Sequence, residues 1–174
     1  MTTRRAFLLT PLAIAACART PKPPRSSGAR RLAITMDDPV VDETPRLDSR
    51  ARDAALLQAL ATRRIRAALF VCGKRVDSAE GAALLARWSS AGHILGNHSY
   101  SHRFFHSRSM TLADSVEELE KGEAIVRPYP GFRRRFRFPF LKEGNTIEKR
   151  DGARAALARR TSRTCSIALA TTTA

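Results

Sequence analysis

The stretch "IRAALFVCG", Ile65–Gly73, is apolar from Ala67 to Cys72 and is closed by a glycine. A strand with one wet face alternates polar and apolar residues. A continuous run of this kind marks a strand covered on both faces, as in a parallel sheet flanked by helices. The flanking text supplies such helices. Before the run, "DSRARDAALLQALATRR" sets Ala54, Leu57, Leu60 and Ala61 at helical spacing, with Asp48 and Ser49 as cap candidates. After it, "SAEGAALLARWSSAG" reads as a second helix, with Ser78 and Glu80 near its start and Gly92 at its end.

Further outward the pattern repeats. "RRLAIT" (30–35) reads as a first strand that runs up to Asp37 and Asp38 and is stopped by Pro39. "HILGNHS" (93–99) reads as a third strand, and "TLADSVEELEKGEAIV" (111–126) as a third helix capped by Thr111 or Asp114. "RRFRFPF" (134–140) reads as a fourth strand. The order strand, helix, strand, helix, strand, helix, strand implies a parallel α/β sheet or barrel, whose functional groups gather at the C-terminal ends of the strands. Asp37 with Asp38, His98 with His102, and the stretch 136–141 all fall at such ends.

The chain has 174 residues, enough for one domain with a single core, and 43% hydrophobic residues, the content of a folded chain. The net charge of +15 raises the question of nucleic acid. The excess is almost all arginine, spread along the chain and heaviest in "GFRRRFRF" and "ARAALARRTSRTC", with no basic stripe interleaved with aromatics. No nucleic-acid partner is expected, and adhesion to anionic polymers or lipid surfaces is an equal use of the charge. Cys17, Cys72 and Cys165 lack metal-type spacing and form no disulfide framework.

The first residues, "MTTRRAFLLTPLAIAACARTPKPP", have a basic start at Arg4 and Arg5, an apolar stretch from Ala6 to Ala16, and small residues before Cys17. This is the layout of an export signal too short to remain as a spanning helix, and its paired arginines resemble a twin-arginine signal. "Ile14-Ala15-Ala16-Cys17" resembles a bacterial lipobox, which makes Cys17 the expected lipidation site. An ordinary signal peptide cleaved nearby is the alternative. On this reading residues 1–17 are the signal and 18–31, rich in Pro, Ser and Arg, are a tether. The expected location is the bacterial cell envelope, with the domain held at the membrane by an N-terminal lipid.

Asp38, His98 and His102 make an Asp-His-His set suited to a divalent metal, zinc being the expected ion, with positions left open for water and substrate. Histidines at i and i+4 share one face of a helical turn, so both are expected to reach one ion from such a turn. Asp37 is then the candidate base. Two adjacent residues of a strand point to opposite faces, a divergence that softens where the strand becomes a loop. Singly, "DD" before proline is usually a loop or cap signal, and an H-x-x-x-H pair a solvated helix face. His93 reads as structural, and His106 as a surface residue that extends the spacing of four.

"ITMDDP", "GNHSYSH" and "FRFPFLKEG" resemble, in order and spacing, the first three motifs of the polysaccharide deacetylases, carbohydrate esterase family four. The resemblance covers about residues 31–152 and implies a distorted, incomplete (β/α) barrel that hydrolyses N- or O-acetyl groups on a glycan. It implies Asp37 as general base, Arg137 as the residue holding it, Asp38, His98 and His102 as metal ligands, and the backbone N–H of Phe140 as oxyanion donor. An acetylated polysaccharide is the implied partner, and the chain is expected to be a monomer. A non-catalytic, envelope-anchored glycan-binding module on the same fold is the alternative.

Three departures from the family pattern stand out. Met36 replaces an aromatic, and the glycine between the Asp pair and Pro39 is missing. The family's late motifs, an aspartate-tryptophan segment and a leucine-histidine segment, are not in the text. Trp88 is the single tryptophan, and His106 is the last histidine. Residues 32–152 are thus expected to be a partial deacetylase domain lacking its last strands. Residues 153–174 are expected to be a divergent tail, with the change of composition past Arg150 reading as a lost reading frame. Without the late histidine a leaving amine goes unprotonated, so ester cleavage is the more accessible activity.

Overall fold

The computed structural model describes residues 32–160; the expected signal, Cys17, the tether and residues 161–174 lie outside them. Four strands, β1 (Ile34–Asp37), β2 (Ala67–Val71), β3 (Ile94–Asn97) and β4 (Phe132–Phe136), form one sheet in the order β1-β2-β3-β4. All three pairings are parallel, with Met36 beside Leu69 and Leu69 beside Leu95. The helices α1 (Ser49–Thr62), α2 (Ala79–Ser90), α3 (Leu112–Val126) and α4 (Ile147–Arg160) alternate with the strands. The class is the expected α/β with parallel strands. Among the described residues β1 and β4 are sheet edges, as an incomplete barrel requires.

Each helix start has a chemical reason. The side chains of Asp48, Ser78 and Thr111 accept hydrogen bonds from the first-turn amides of α1, α2 and α3. Of the two cap candidates for α3, Thr111 is the cap, and Asp114 returns a bond to the Thr111 backbone, a reciprocal capping box. Gly92, at φ +82, ends the α2 region in the left-handed conformation that glycine adopts without strain.

The main core lies between the sheet and the helices. Leu69, Val71 and Leu95 from the strands meet Leu60, Leu84, Leu85, Trp88 and Val126 from the helices. Asp53, almost fully buried on α1, accepts from Trp88 Nε1 and from Arg87 Nε at 2.7 Å, so α1 and α2 are joined by a satisfied buried carboxylate. A second, smaller core gathers Phe105, Met110 and Ala153, with Leu112 and Phe138 packed on it.

Two sequence expectations change here. The fourth strand is Phe132–Phe136, not 134–140: Pro139 has no N–H for a ladder bond, and residues 139–141 form a tight turn instead. The expected boundary between residues 152 and 153 falls inside a helix. Helix α4 runs through it unbroken, with Ala153 and Ala156 buried, and a Cβ at Gly152 would sit 2.4 Å from Leu112 Cδ2.

Gly122 carries the fold toward the strand ends. A Cβ there would lie 2.5 Å from Asn97 Oδ1 and 2.7 Å from the backbone of Ser99, so α3 can pack on the end of β3 only through a glycine. Gly122→Ala should therefore lower stability by about 1–3 kcal/mol through overpacking, read as a shift of the urea midpoint. An unchanged midpoint would refute this close approach.

Candidate metal centre

Asp37 closes β1, and Asp38 follows it with φ +53. Strand alternation alone would send the two side chains to opposite faces. The left-handed turn at Asp38, directly before Pro39, re-aims its carboxylate so that both acids face the end of β3. Aspartate tolerates this conformation better than most residues, so the turn forms without the missing glycine. The Asp38 N–H still donates to Phe70 O at 3.1 Å, so the turn is pinned to β2.

His98 stands immediately after β3 and is buried, with its side chain 3% exposed. Its Nδ1 lies 2.8 Å from the Arg137 carbonyl. A carbonyl only accepts, so Nδ1 carries the proton and Nε2 keeps its lone pair. That Nε2 lies 3.9 Å from Asp37 Oδ2 and 4.0 Å from Asp38 Oδ2. Burial leads in holding the imidazole below its ordinary pKa, against the opposing pull of the Arg137 carbonyl and the two aspartates. The neutral ring is the form that ligates a metal.

The expected helical turn from His98 to His102 does not occur. Ser99 (φ +69) and His102 (φ +59) are left-handed, and the segment is a loop. Its backbone bonds are supplied from outside: Gly73 N–H donates to Ser99 O (3.0 Å) and Lys74 N–H to Tyr100 O (2.7 Å). Ser101 donates from N and Oγ to the Glu118 carboxylate of α3, at 2.7 and 2.6 Å. These contacts make a helix over 98–102 unnecessary and bring His102 Nε2 to 3.3 Å from Asp38 Oδ2. The two imidazoles meet edge to face at 4.9 Å.

One ligand atom from each of Asp38, His98 and His102 lies within 4.8 Å of the others. Two donors about 2.1 Å from a shared ion can be no more than about 4.2 Å apart, so only a small inward adjustment separates the triad from a ligand set. Asp38 Oδ1 is buried without a hydrogen-bond partner, and the nearest cation, Arg75 Nε, stands at 3.7 Å. The other Asp38 oxygen, Oδ2, faces the two imidazole Nε2 atoms, and one carboxylate with two neutral imidazoles is a donor set that fits a divalent ion of the zinc type.

Arg137 follows β4. Its Nη1 donates to Asp37 Oδ1 at 2.6 Å and its Nη2 to Thr35 Oγ1 at 3.1 Å, while the guanidinium lies 4.1 Å over the Phe70 ring. Phe140 has φ +56, and its ring packs edge to face on His102 at 4.8 Å. The structure thus brings Asp37, Asp38, His98, His102, Arg137 and Phe140 to one place. His93 lies apart, its Nδ1 accepting from Ala67 N–H at 3.1 Å, and exposed His106 has its Nδ1 2.7 Å from Gly144 O. Thr35, Phe70, Arg75 and Glu118 are participants that sequence reading passed over. Thr35 lies two residues before Asp37 and so on the same strand face, a signal that was available; Arg75 and Glu118 left none.

The family model for polysaccharide deacetylase matches residues 25–156. Solved structures of the same fold include a family 4 acetyl xylan esterase from Clostridium thermocellum in complex with a cobalt ion, at 27% identity and TM-score 0.53 over 68% of this chain and 53% of that one. The chitin deacetylase from Colletotrichum lindemuthianum aligns at 23% identity and TM-score 0.55, over 74% of this chain and 51% of that one. A Bacillus anthracis pseudoenzyme of carbohydrate esterase family four, in a mutant form with restored activity, aligns at 21% identity and TM-score 0.56, over 72% and 41%. The chain spans about half the length of these structures. No curated protein matches the sequence. The chain belongs to the polysaccharide deacetylase family.

Zinc affinity, measured by competition with a chromogenic chelator, should fall at least about 100-fold in His98→Ala and in His102→Ala, beyond the loss typical of an outer-shell change. Asp37→Asn should change it less than about tenfold by the same scale. Equal affinity in all three variants would remove the metal assignment.

Proposed function

We propose that this member of the polysaccharide deacetylase family is a metal-dependent hydrolase that removes acetyl groups from a cell-envelope or extracellular polysaccharide. The observation that carries the reading is the Asp37–Arg137 pair standing beside the Asp38, His98, His102 cluster. Asp38, His98 and His102 would hold the ion, zinc by donor chemistry. The cobalt ion in the Clostridium thermocellum esterase supports a divalent transition metal. When bound, such an ion polarises an acyl oxygen and lowers the pKa of a water.

The chain's own residues supply the rest. With Oδ1 of Asp37 held by Arg137, Oδ2 is the atom that takes the proton of the attacking water. The Arg137 carbonyl keeps the proton of His98 on Nδ1, so Nε2 stays available throughout. The Phe140 N–H, carried on the left-handed turn, is the donor for the oxyanion. His98 and His102 belong to the ligand set, His93 is committed to Ala67, and His106 stands beyond the rings of Phe140 and Phe104. Among the described residues no histidine is thereby set to protonate a leaving amine. A sugar alkoxide leaves more readily than an amide nitrogen, so O-acetyl esters are the favoured substrate class.

The second reading is a non-catalytic glycan-binding module on the same fold. Location at the cell envelope through a lipid on Cys17 is supported by the leader sequence, and Cys17→Ser should release the protein from the membrane fraction; unchanged fractionation would remove the anchor. Acetate release from acetylated xylan and from N-acetylglucosamine oligomers tests the activity. Xylan should give the faster release, and Asp37→Asn should lower it by about 10²–10⁴-fold with metal content unchanged. Absence of acetate from both substrates, with sugar binding intact in Asp37→Asn, would select the binding module.

A further inference from the structure

Beside the candidate metal centre lies an apolar patch whose side chains neither the core nor the proposed chemistry uses, the Phe140 part in that chemistry being its backbone N–H. Phe104, Phe140 and Leu141 are 43%, 58% and 59% exposed. Their neighbour Phe105 is 1% exposed and stacks on Phe138 at 6.1 Å with planes only 10° apart, anchoring the small core. That anchor fixes the loop and leaves Phe104 turned out of it. Phe104 meets Phe140 edge to face at 5.2 Å, and Phe140 meets His102 at 4.8 Å. The rings therefore form a right-angled corner continuous with the ligand cluster. Phe140 and Leu141 both have φ +56, a strained conformation for bulky side chains. Strain and exposed apolar area coincide at the edge of the site, where contiguous apolar surface marks a contact.

We propose that Phe104, with Phe140 as its wall, is a sugar-stacking subsite for the pyranose ring next to the residue that carries the acetyl group. The proposal rests on the glycan-hydrolase reading above and adds the place where the polymer is gripped. A pyranose ring has a face of C–H groups and a rim of hydroxyls. The C–H face suits the electron-rich face of a phenyl ring. His106, 5.8 Å from the Phe104 ring, has its Nδ1 proton on the Gly144 carbonyl and keeps Nε2 as an acceptor for a rim hydroxyl. A membrane or a second copy of the chain on this corner would seal His102 from the water that hydrolysis consumes. A polymer lying along it would not.

The test uses the full chain with zinc present and two probes, the tetramers of xylose and of N-acetylglucosamine, with binding read by titration calorimetry. Phe104→Ala should weaken binding of the preferred tetramer about tenfold, the order expected for losing one stacked ring. Phe104→Trp should restore it, and zinc affinity and melting temperature should stay as in the wild type. Equal tetramer affinity in wild type and Phe104→Ala overturns the subsite while leaving the hydrolase reading intact. Loss of zinc in Phe104→Ala overturns it too, since the residue would then be structural. So does loss of dimerisation or of phosphatidylglycerol-vesicle binding in Phe104→Ala without any change in sugar affinity. A wild type that binds neither tetramer and releases no acetate overturns both readings together.

Discussion

The hydrogen bond from Arg137 to Asp37 reaches from one edge of the sheet to the other. Strands β1 and β4 are separated by β2 and β3, which in a flat sheet would put them about 14 Å apart, three spacings of about 4.8 Å. One arginine side chain bridges them only because the sheet curls. Gly96 permits the curl: a Cβ there would lie 2.9 Å from the Phe70 ring, which lies across β3. The guanidinium then covers that ring at 4.1 Å, a cation over an aromatic face. The curl is what aims the ends of β1 and β3 and the start of the turn after β4 at a common point.

The same residue acts through its backbone. Arg137 accepts the Nδ1 proton of His98 and so decides which imidazole nitrogen is free, while its side chain decides which oxygen of Asp37 is free. Asp37 and His98 are thus both oriented by one position, itself tied to β3 by its N–H donating to Asn97 O at 3.0 Å. Around it stand residues in a conformation that costs of order 1–3 kcal/mol each for non-glycine residues: Asp38, Ser99, His102, Phe140 and Leu141. The loop holding His102 is over-determined by Glu118, Gly73 and Lys74, which explains how the strain persists.

The alternation of strands and helices was legible because two periodicities separate cleanly along the chain, and the caps Asp48, Ser78 and Thr111 were legible because their short oxygens have few other uses at such positions. The loop from His98 to His102 was not. A spacing of four is the face of a helix, but it is equally any five-residue loop, and the signs of φ that bring the two rings together have no sequence signal when serine and histidine adopt them. The end of β4 was misread for a related reason. "FRFPF" alternates like a strand, yet Pro139 cannot donate to the ladder and turns the chain toward His102 instead. Helix α4 was obscured at Gly152 because its buried residues are alanines among arginines, a weak apolar signal even though Ala153 and Ala156 are nearly inaccessible.

The inner face of the curled sheet has a further consequence. Thr35, Asp37, Phe70 and Gly96 share it by register, and among the described residues no strand faces them from the other side. Phe70 is nonetheless only 1% exposed: its ring lies across β3 at Gly96, and the Arg137 guanidinium stands 4.1 Å over it. A lysine could supply the charge but not the planar fork that bonds Asp37 and Thr35 while standing over the ring. The arginine therefore serves packing and chemistry through one geometry. The side chain that holds Asp37 also packs on Phe70, so a change at Arg137 acts on the site and on the sheet beneath it together.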